Sequence, residues 1–257
     1  DGRTSELKKV AADNTYTLRQ ADAAKSKMRI QSGQPALLVR DTTKLSFVHT
    51  ESDFIDFKNE FLLPHRLSNL GPRMTVGDID GDGLEDLYIG GAAGYTGVLY
   101  RQTGEGFQRI ASPALDGDSL CEDGQSVMLD IDQDNDLDLM VVSGSNEFED
   151  ASPELQDRLY VNDGRGNFTK SAQALPTDTL AGLCVRNVDW DQDGDQDVFI
   201  GGCTRHAGYG LPIRSSLLRN DGGRFTDVTS SWCPALDTLG MVMDEPPCRV
   251  RTSRCAA

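Results

Sequence analysis

The sequence predicts an all-β fold of three repeated four-stranded units, and two shared elements carry this prediction. An acidic stretch occurs three times, as VGDIDGDGLEDLYIGG, MLDIDQDNDLDLMVVS and NVDWDQDGDQDVFIGG. Each copy is followed by a second element, GVLYRQTGEGFQRI, RLYVNDGRGNFTKS or SLLRNDGGRFTDVT. The acidic stretches lie 52 and 59 residues apart. Four antiparallel strands in a period of this length are typical of a β-propeller blade.

Each repeat reads as strand, acidic loop, strand, variable loop, strand, glycine-rich turn and strand. The runs at 87–89, 137–142 and 198–200 are apolar and rich in β-formers, which favours inner strands covered on both faces. The turns at 104–106, 163–166 and 221–223 contain the glycines that tight hairpins use for positive φ. Three such blades are predicted, as part of a larger ring.

The acidic loops have the spacing of a metal site. Aspartates stand at positions 1, 3, 5 and 9 of each loop, and these predicted ligands are Asp78, Asp80, Asp82 and Asp86; Asp130, Asp132, Asp134 and Asp138; and Asp189, Asp191, Asp193 and Asp197. Position 7 is expected to offer its backbone carbonyl, from Leu84, Asp136 or Asp195. Position 6 is glycine or asparagine, which tolerate the left-handed turn that wraps a loop round an ion. Carboxylate oxygens without His or Cys favour calcium over zinc or copper.

Three structural calcium ions are therefore the expected cofactors, each locking the turn between two strands. An EF-hand would need a glutamate at position 12 and flanking helices, whereas position 12 here is Ile89, Val141 or Ile200. Magnesium fits less well, because it prefers few protein ligands and several waters. The alternative without metal is a solvated acidic turn. Three calcium ions would bring the formal charge from −16 to −10.

Composition excludes some classes of partner. The chain has 257 residues, 38% of them hydrophobic, and a formal net charge of −16. This charge argues against nucleic acid and anionic membranes, which are bound mainly through Lys and Arg. No apolar run is long enough for membrane insertion. The six cysteines lack the spacing of a zinc site, and Cys184 and Cys203, which bracket the third loop, are one candidate disulfide.

These motifs resemble the FG-GAP repeat, also called VCBS, of integrin-α-like propellers. In that repeat an aspartate-rich calcium loop leads to a strand ending near Gly-Gly-Ala and then to a Gly-x-(Leu/Val)-Tyr strand. Residues 89–92 and 98–100 carry this pattern in the first copy, and the resemblance covers roughly 45–229. Residues 1–24 resemble the tail of an ASPIC/UnbV domain, which follows such a propeller in cartilage-acidic-protein-like secreted proteins.

The expected organisation is an ASPIC/UnbV-like β tail at 1–24, a linker at 25–43, propeller blades at 44–238 and a truncated or irregular terminus at 239–257. The segment from Lys44 resembles a fourth strand and is expected to be the outer strand of a closing blade. Three blades cannot close a ring, so open blade edges predict self-association. The chain starts without Met, which suggests a piece of a longer protein with its signal sequence upstream.

The predicted function is a secreted or cell-surface, calcium-stabilised module that binds an extracellular protein or glycan in adhesion. The variable loops face away from the acidic loops and are where binding residues are expected. The side chains best suited to a sugar or peptide are Phe148, Arg205, His206, Tyr209 and Arg214. Catalysis has little support, since no hydrolase or phosphate-loop motif is present. The alternatives are a propeller-type polysaccharide lyase or hydrolase and a structural spacer in a large surface protein.

Overall fold

The protein was analysed as a computed structural model, which describes residues 3–4, 24–25, 44–178 and 180–243. The chain divides into two compact units, Asp1–Asp41 and Thr42–Ala257. In the first unit, β1 (Arg3–Thr4) pairs antiparallel with β2 (Ala24–Lys25). The rest of the predicted tail at 1–24 and linker at 25–43, and the end of the predicted terminus from residue 244, lie outside the described residues.

The second unit contains three four-stranded antiparallel sheets, as predicted. Blade 1 consists of β3 (Met74–Gly77), β4 (Asp86–Ile89), β5 (Val98–Thr103) and β6 (Gly106–Ile110). Blade 2 consists of β7 (Asp123–Leu129), β8 (Asp138–Ser143), β9 (Arg158–Val161) and β10 (Thr169–Ser171). Blade 3 consists of β11 (Gly182–Val188), β12 (Asp197–Gly202), β13 (Ser216–Asn220) and β14 (Phe225–Asp227). Every blade is a simple meander, so sequence order and spatial order agree.

The blades stack face to face and bury the apolar side chains between them. Strands β4, β8 and β12 are almost wholly buried, which explains their continuous rather than alternating apolar sequence. Blades 1 and 2 enclose a core that includes Ile79, Tyr88, Leu99, Met128, Leu139, Val141, Tyr160 and Phe168. Blades 2 and 3 enclose a core that includes Ile131, Met140, Val142, Leu159, Val185, Val198, Ile200, Leu218 and Phe225.

The first strands of the blades lie side by side. Strand β7 contacts both β3 and β11, so these are the innermost strands and the later strands lie farther out. Glycines permit this close approach: a Cβ on Gly144 would overlap the carbonyl oxygen of Gly182 in the next blade. A Cβ on Gly90 would come within 2.9 Å of the Asp123 side chain. Gly90, which directly follows β4, therefore serves the packing of neighbouring blades, whereas Gly91 allows the close approach of residues 95–97 in its own blade.

A buried polar network joins blades 1 and 2 near these glycines. The Asp123 carboxylate pairs with Arg158 at 2.7 Å, and both side chains are 3% exposed. The same carboxylate accepts hydrogen bonds from the Tyr88 hydroxyl and the Gly91 amide, each at 2.7 Å. Arg158 also donates to the Ser143 hydroxyl. Because the buried charges are paired and hydrogen-bonded, the network fixes how the two blades meet.

Short elements outside the sheets differ from the predicted strands. The segment 44–55 forms no regular strand, and its Leu45 and Phe47 instead pack on the face of blade 1 that points away from blade 2. The Phe107 amide donates to the Lys44 carbonyl, which holds this segment in place. After β6 and β14 come the short helices α1 (Pro113–Asp116) and α2 (Thr229–Trp232). Proline at the start of α1 and serine in α2 suit a helical turn better than a strand.

The suggested disulfide between Cys184 and Cys203 is not formed. Cys203 is a buried thiol outside any disulfide, and burial raises its pKa to about 12. Residue 184 instead lies opposite Gly201 in the β11–β12 ladder. Cys248 and Cys255 lie outside the described residues. Among the described helices, none has the length and apolar character needed to cross a bilayer.

Candidate metal centres

Each acidic loop connects the first and second strands of its blade, at 78–86, 130–138 and 189–197. In every loop three aspartates converge, so that one oxygen of each lies within 4.8 Å of the others. The converging sets are Asp78, Asp80 and Asp86; Asp130, Asp132 and Asp134; and Asp189, Asp191 and Asp197. Positions 1 and 3 belong to all three sets, and position 9 or 5 completes them. The structure therefore brings together three of the four aspartates that the spacing singles out in each loop, and Asp82, Asp138 and Asp193 lie outside these sets.

The backbone wraps each loop through left-handed residues. Position 6 has positive φ in all three loops, at 85° for Gly83, 71° for Asn135 and 102° for Gly194, as the sequence predicts. Position 4 is also left-handed, at 64° in both Gln133 and Gln192. Glutamine rarely adopts this conformation, so loops 2 and 3 carry local backbone strain that the sequence does not predict.

The position-5 aspartates hold the second half of the loops. The carboxylates of Asp82, Asp134 and Asp193 each accept a hydrogen bond from the backbone amide two residues later, at 2.8, 3.0 and 3.2 Å. This is the turn that aspartate forms readily with its own backbone. One oxygen is thus occupied by the loop itself, and the other stays available.

The position-9 aspartates, Asp86, Asp138 and Asp197, have a second role that sequence reasoning missed. All three are completely buried. In blade 2, Asp138 accepts from the amides of Ile131, at 3.2 Å, and Asn162, at 2.8 Å. Equivalent pairs of amides bind Asp86 and Asp197. Position 9 therefore ties the acidic loop to the third strand in all three blades, and in loops 1 and 3 it also contributes a carboxylate to the converging set.

Several carboxylate oxygens in loops 2 and 3 are buried without a hydrogen-bond partner among the described residues. They are the Oδ1 atoms of Asp130 and Asp189 at position 1 and of Asp136 and Asp195 at position 7. Burial, followed by the charge of Asp134, raises the pKa of Asp136 to about 6, and burial likewise raises that of Asp138 to about 6. Unpartnered buried oxygens cost free energy unless a cation or water compensates them.

A hard divalent cation fits this donor set. The converging donors are carboxylate oxygens, which calcium prefers, and each loop supplies enough of them for part of a six- to eight-oxygen shell. The unpartnered oxygens of Asp130 and Asp189 are the ones that a cation would satisfy. Calcium bound here would neutralise the loop charge and close the strand-to-strand turn. The predicted carbonyl donors at Leu84, Asp136 and Asp195 remain a prediction.

Two asparagines at the ends of third strands link neighbouring blades to these loops. The side-chain amide of Asn162 donates to the Ile79 carbonyl at 2.8 Å, and that of Asn220 donates to the Ile131 carbonyl at 2.8 Å. Each contact joins one blade to position 2 of the preceding blade's acidic loop. The repeated Asn-Asp before the glycine-rich turns, in YVND and LRND, is the sequence signal that could have revealed them.

The predicted ligand-binding residues lie on the opposite loops and are only partly brought together. Arg205 forms an ion pair with Asp150 at 2.6 Å, and the His206 ring lies 2.9 Å from the Asn146 carbonyl. Phe148 lies in the same loop as Asn146 and Asp150 and is half-buried. The Tyr209 amide donates to Glu60, and its side chain is 39% exposed. Arg214 is engaged elsewhere, by Asp227 and Asp237.

Three stacked four-stranded blades with acidic loops between their first and second strands define an all-β protein of propeller-type repeats. The family model of the FG-GAP-like repeat matches residues 78–141 and 130–200. Each match runs from one acidic loop into the next blade, so the chain contains FG-GAP-like repeats. The search of curated proteins found no match for this chain.

Proposed function

We propose that this chain is a calcium-stabilised propeller module of the cell surface or extracellular space, in which three calcium ions are structural. The supporting observation is the convergence of three carboxylates in each acidic loop, with unpartnered oxygens at position 1 of loops 2 and 3. Extracellular calcium is high enough to fill even weak loops of this kind. The FG-GAP-like repeats point to the same compartment, where the family is commonly found.

The proposed role is protein or glycan binding in adhesion, through the loops opposite the calcium sites. Arg205, His206 and Phe148 offer a guanidinium, an imidazole and an aromatic ring in two adjacent loops. Tyr209 adds an exposed aromatic ring in the second of these loops. Side chains of these types hydrogen-bond and stack on sugars and peptides. The scaffold holds the loops in place, and the calcium ions would keep the scaffold rigid.

The blades are further proposed to belong to a larger ring. Ile79 and Ile131, at position 2 of loops 1 and 2, are each 1% exposed because the next blade covers them. Trp190, at the same position of loop 3, is only half-buried. The Val242 amide donates to the Gly202 carbonyl, as the Asp123 amide donates to Gly91 at the start of blade 2. Residue 242 therefore occupies the place of a following first strand, and an uncovered blade 3 would self-associate.

The first test is a calcium titration by calorimetry on protein stripped with EDTA. We expect uptake of three ions per chain and a higher melting temperature, because binding to the folded state alone stabilises it. The matched control is Asp78→Asn/Asp130→Asn/Asp189→Asn, which removes the position-1 carboxylates. Absence of uptake by the unchanged chain would refute the proposal. Magnesium, titrated in parallel, should bind more weakly.

Terbium luminescence gives a site-specific readout of loop 3. Trp190 is the position-2 residue of that loop, whereas loops 1 and 2 have isoleucine there. Energy transfer from this indole should therefore report terbium in loop 3 and disappear in Trp190→Phe. Calcium should then displace the terbium signal.

The binding role is tested on glycan and protein arrays with calcium present. A ligand whose signal falls on Arg205→Ala, but not on Arg109→Ala in blade 1, would support the proposed face. Unchanged binding in Arg205→Ala, His206→Ala and Tyr209→Ala would place recognition elsewhere. Binding to no array component would favour a structural spacer, and new reducing ends in a polysaccharide incubation would favour an enzyme.

A further inference from the structure

Among the described residues, loop 1 differs from the other two acidic loops because an arginine forms a direct ion pair with one of its converging aspartates. The Arg101 guanidinium lies with Nε 2.6 Å from Oδ2 of Asp80, the position-3 member of the converging set. The Asp80 side chain is 14% exposed and that of Arg101 34% exposed, so the pair is partly shielded from solvent. The guanidinium thus lies against a carboxylate that calcium would need.

The equivalent residues of blades 2 and 3 do not make this contact. Arg101 is the fourth residue of β5, and the next residue, Gln102, donates its amide to the position-9 aspartate of its blade. Asn162 and Asn220 donate in the same way in blades 2 and 3, so the residue before each of them is the counterpart of Arg101. This register makes Val161 the counterpart in blade 2 and Arg219 the counterpart in blade 3. Val161 is apolar and packs against the core. Arg219 pairs with Asp221 at 2.7 Å, and it interacts with Asp191 and Asp193 of loop 3 through charge without forming an ion pair with them.

The carboxylate oxygens of loop 1 are also better satisfied by the protein itself. Asp78 at position 1 accepts three backbone amides, from Gly81 and Gly83 at 2.8 Å and from Asp82 at 3.2 Å. Loops 2 and 3 instead have unpartnered buried oxygens at positions 1 and 7. Loop 1 has leucine at position 7, where loops 2 and 3 have aspartate, and its fifth acidic residue is Glu85 at position 8. Neutralisation by the backbone amides and by Arg101 weakens the attraction of loop 1 for calcium.

We infer that Arg101 competes with calcium for loop 1, so that loops 2 and 3 fill first and loop 1 is a low-affinity, calcium-responsive site. The inference rests on the calcium binding proposed above. Filling loop 1 requires the guanidinium to leave Asp80. Arg101 also donates from Nη2 to the Arg165 carbonyl in the hairpin turn of blade 2, at 2.9 Å. Calcium in loop 1 would therefore change a contact between blades 1 and 2, which makes this end of the molecule sensitive to calcium concentration.

The test compares calcium titrations of the unchanged chain, Arg101→Val and Arg109→Val. Arg101→Val introduces the residue found in blade 2, and Arg109→Val removes the same charge from an exposed position on β6. We expect the unchanged chain to bind two ions tightly and a third more weakly. Arg101→Val should tighten the third site by about tenfold, since a partly buried ion pair and the repulsion of a cation are both removed. Arg109→Val should leave it within about twofold, because solvent and salt screen an exposed charge.

Three further measurements keep the inference falsifiable. Adding Asp78→Asn to Arg101→Val should abolish the strengthened site, which assigns that site to loop 1. Arg101→Gln should give the same tightening if valine disturbs folding. Three ions bound with an unchanged weakest site in both Arg101 variants, or equal tightening in Arg109→Val, would overturn the role of Arg101. Absence of calcium uptake in all variants would instead overturn the proposed function.

Discussion

At the scale of single residues, aspartates at different positions of one loop have different structural roles. Asp138 at position 9 is fully buried and accepts two backbone amides, one on each carboxylate oxygen, so it supports the fold. Asp130 at position 1 accepts one amide, from Asn135 at 3.0 Å, and its other oxygen has no partner among the described residues. The aspartate at position 9 should therefore contribute to the free energy of unfolding even without metal. The aspartate at position 1 should contribute mainly when metal is bound.

We predict that Asp138→Ala destabilises the protein by about 2–4 kcal/mol in EDTA, because two buried amides lose their acceptor. Asp130→Asn should cost less than about 1 kcal/mol in EDTA, since an amide oxygen can still accept from Asn135. With calcium present, Asp130→Asn should lose the stabilisation that the ion supplies. Urea unfolding in EDTA and in calcium measures both effects, and equal destabilisation by the two variants in EDTA would contradict the assignment.

Glu122, immediately before β7, gives a prediction about pH. Its side chain is 5% exposed and accepts a hydrogen bond from the Ala93 amide at 2.6 Å. Burial, assisted by the charges of Glu147 and Glu51 and opposed by the hydrogen bond from Ala93, raises the pKa of Glu122 to about 8. The folded state therefore holds a proton that the unfolded state releases near pH 4.5. The associated stability is fully present below pH 4.5 and is lost as the pH rises through about 8.

Glu122→Gln should remove this dependence, because the amide stays neutral and still accepts from Ala93. We expect the variant to be more stable than the unchanged chain by on the order of 2 kcal/mol at pH 8, with a flatter profile from pH 6.5 to 9. Chemical unfolding at fixed, saturating calcium across that range provides the measurement. Parallel profiles for the two proteins would show that Glu122 does not titrate as proposed.

At the scale of elements, the inner strands depend on glycine where neighbouring blades meet. Gly144 follows β8, its amide donates to the Glu122 carbonyl at 3.2 Å, and a Cβ there would overlap the Gly182 carbonyl oxygen. The backbone of residue 144 fixes the position of the Cβ, and the atom that it meets is a backbone oxygen, so no side-chain rearrangement can relieve the clash. The blades would have to move apart.

Gly144→Ala should therefore destabilise the protein by about 1–3 kcal/mol or more, the usual cost of overpacking. Gly104→Ala is the matched control, because a Cβ at Gly104 meets no atom within 4 Å and Gly104 is not among the positive-φ residues. That variant should stay within about 0.5 kcal/mol of the unchanged chain. Thermal or urea unfolding of the two variants measures this loss of stability. A small loss in Gly144→Ala would mean that the inner strands adjust freely.

At the scale of the whole molecule, the net charge of −16 is concentrated where the blades turn. Fourteen of the aspartates stand in the three loops, at positions 1, 3, 5, 7 and 9. Without calcium these charges repel one another in the folded state, and with calcium most of that repulsion is removed. Bound calcium and ionic strength should therefore both raise the free energy of unfolding, because each reduces the repulsion between the loop carboxylates.

We predict that removing calcium lowers the melting temperature and makes it sensitive to salt. In EDTA, raising potassium chloride from 0.02 to 0.3 M should raise the melting temperature, because screening reduces repulsion between the carboxylates. In saturating calcium the same change should have a much smaller effect. Differential scanning calorimetry in the four conditions provides the test. An equal response to salt with and without calcium would mean that repulsion in the loops contributes little to stability.

The sequence by itself determined the three blades seen among the described residues, the position of each acidic loop and the left-handed residue at position 6. These features are local. The repeat period, the spacing of the aspartates and the glycine or asparagine at position 6 each depend on the conformation of a short stretch of backbone. The buried second strands were also predictable, because their apolar runs are continuous.

Only the tertiary structure decided what the loops contact. It showed that Asp138 supports the third strand, that Asn162 reaches the loop of the preceding blade, and that Arg101 rather than solvent neutralises Asp80. It also showed that the segment from Lys44, predicted as an outer strand, is irregular over 44–55 and covers blade 1. The physical reason is that these contacts join residues from about twenty to more than eighty positions apart, so they depend on how strands and blades pack and on which charges the packing shields from water.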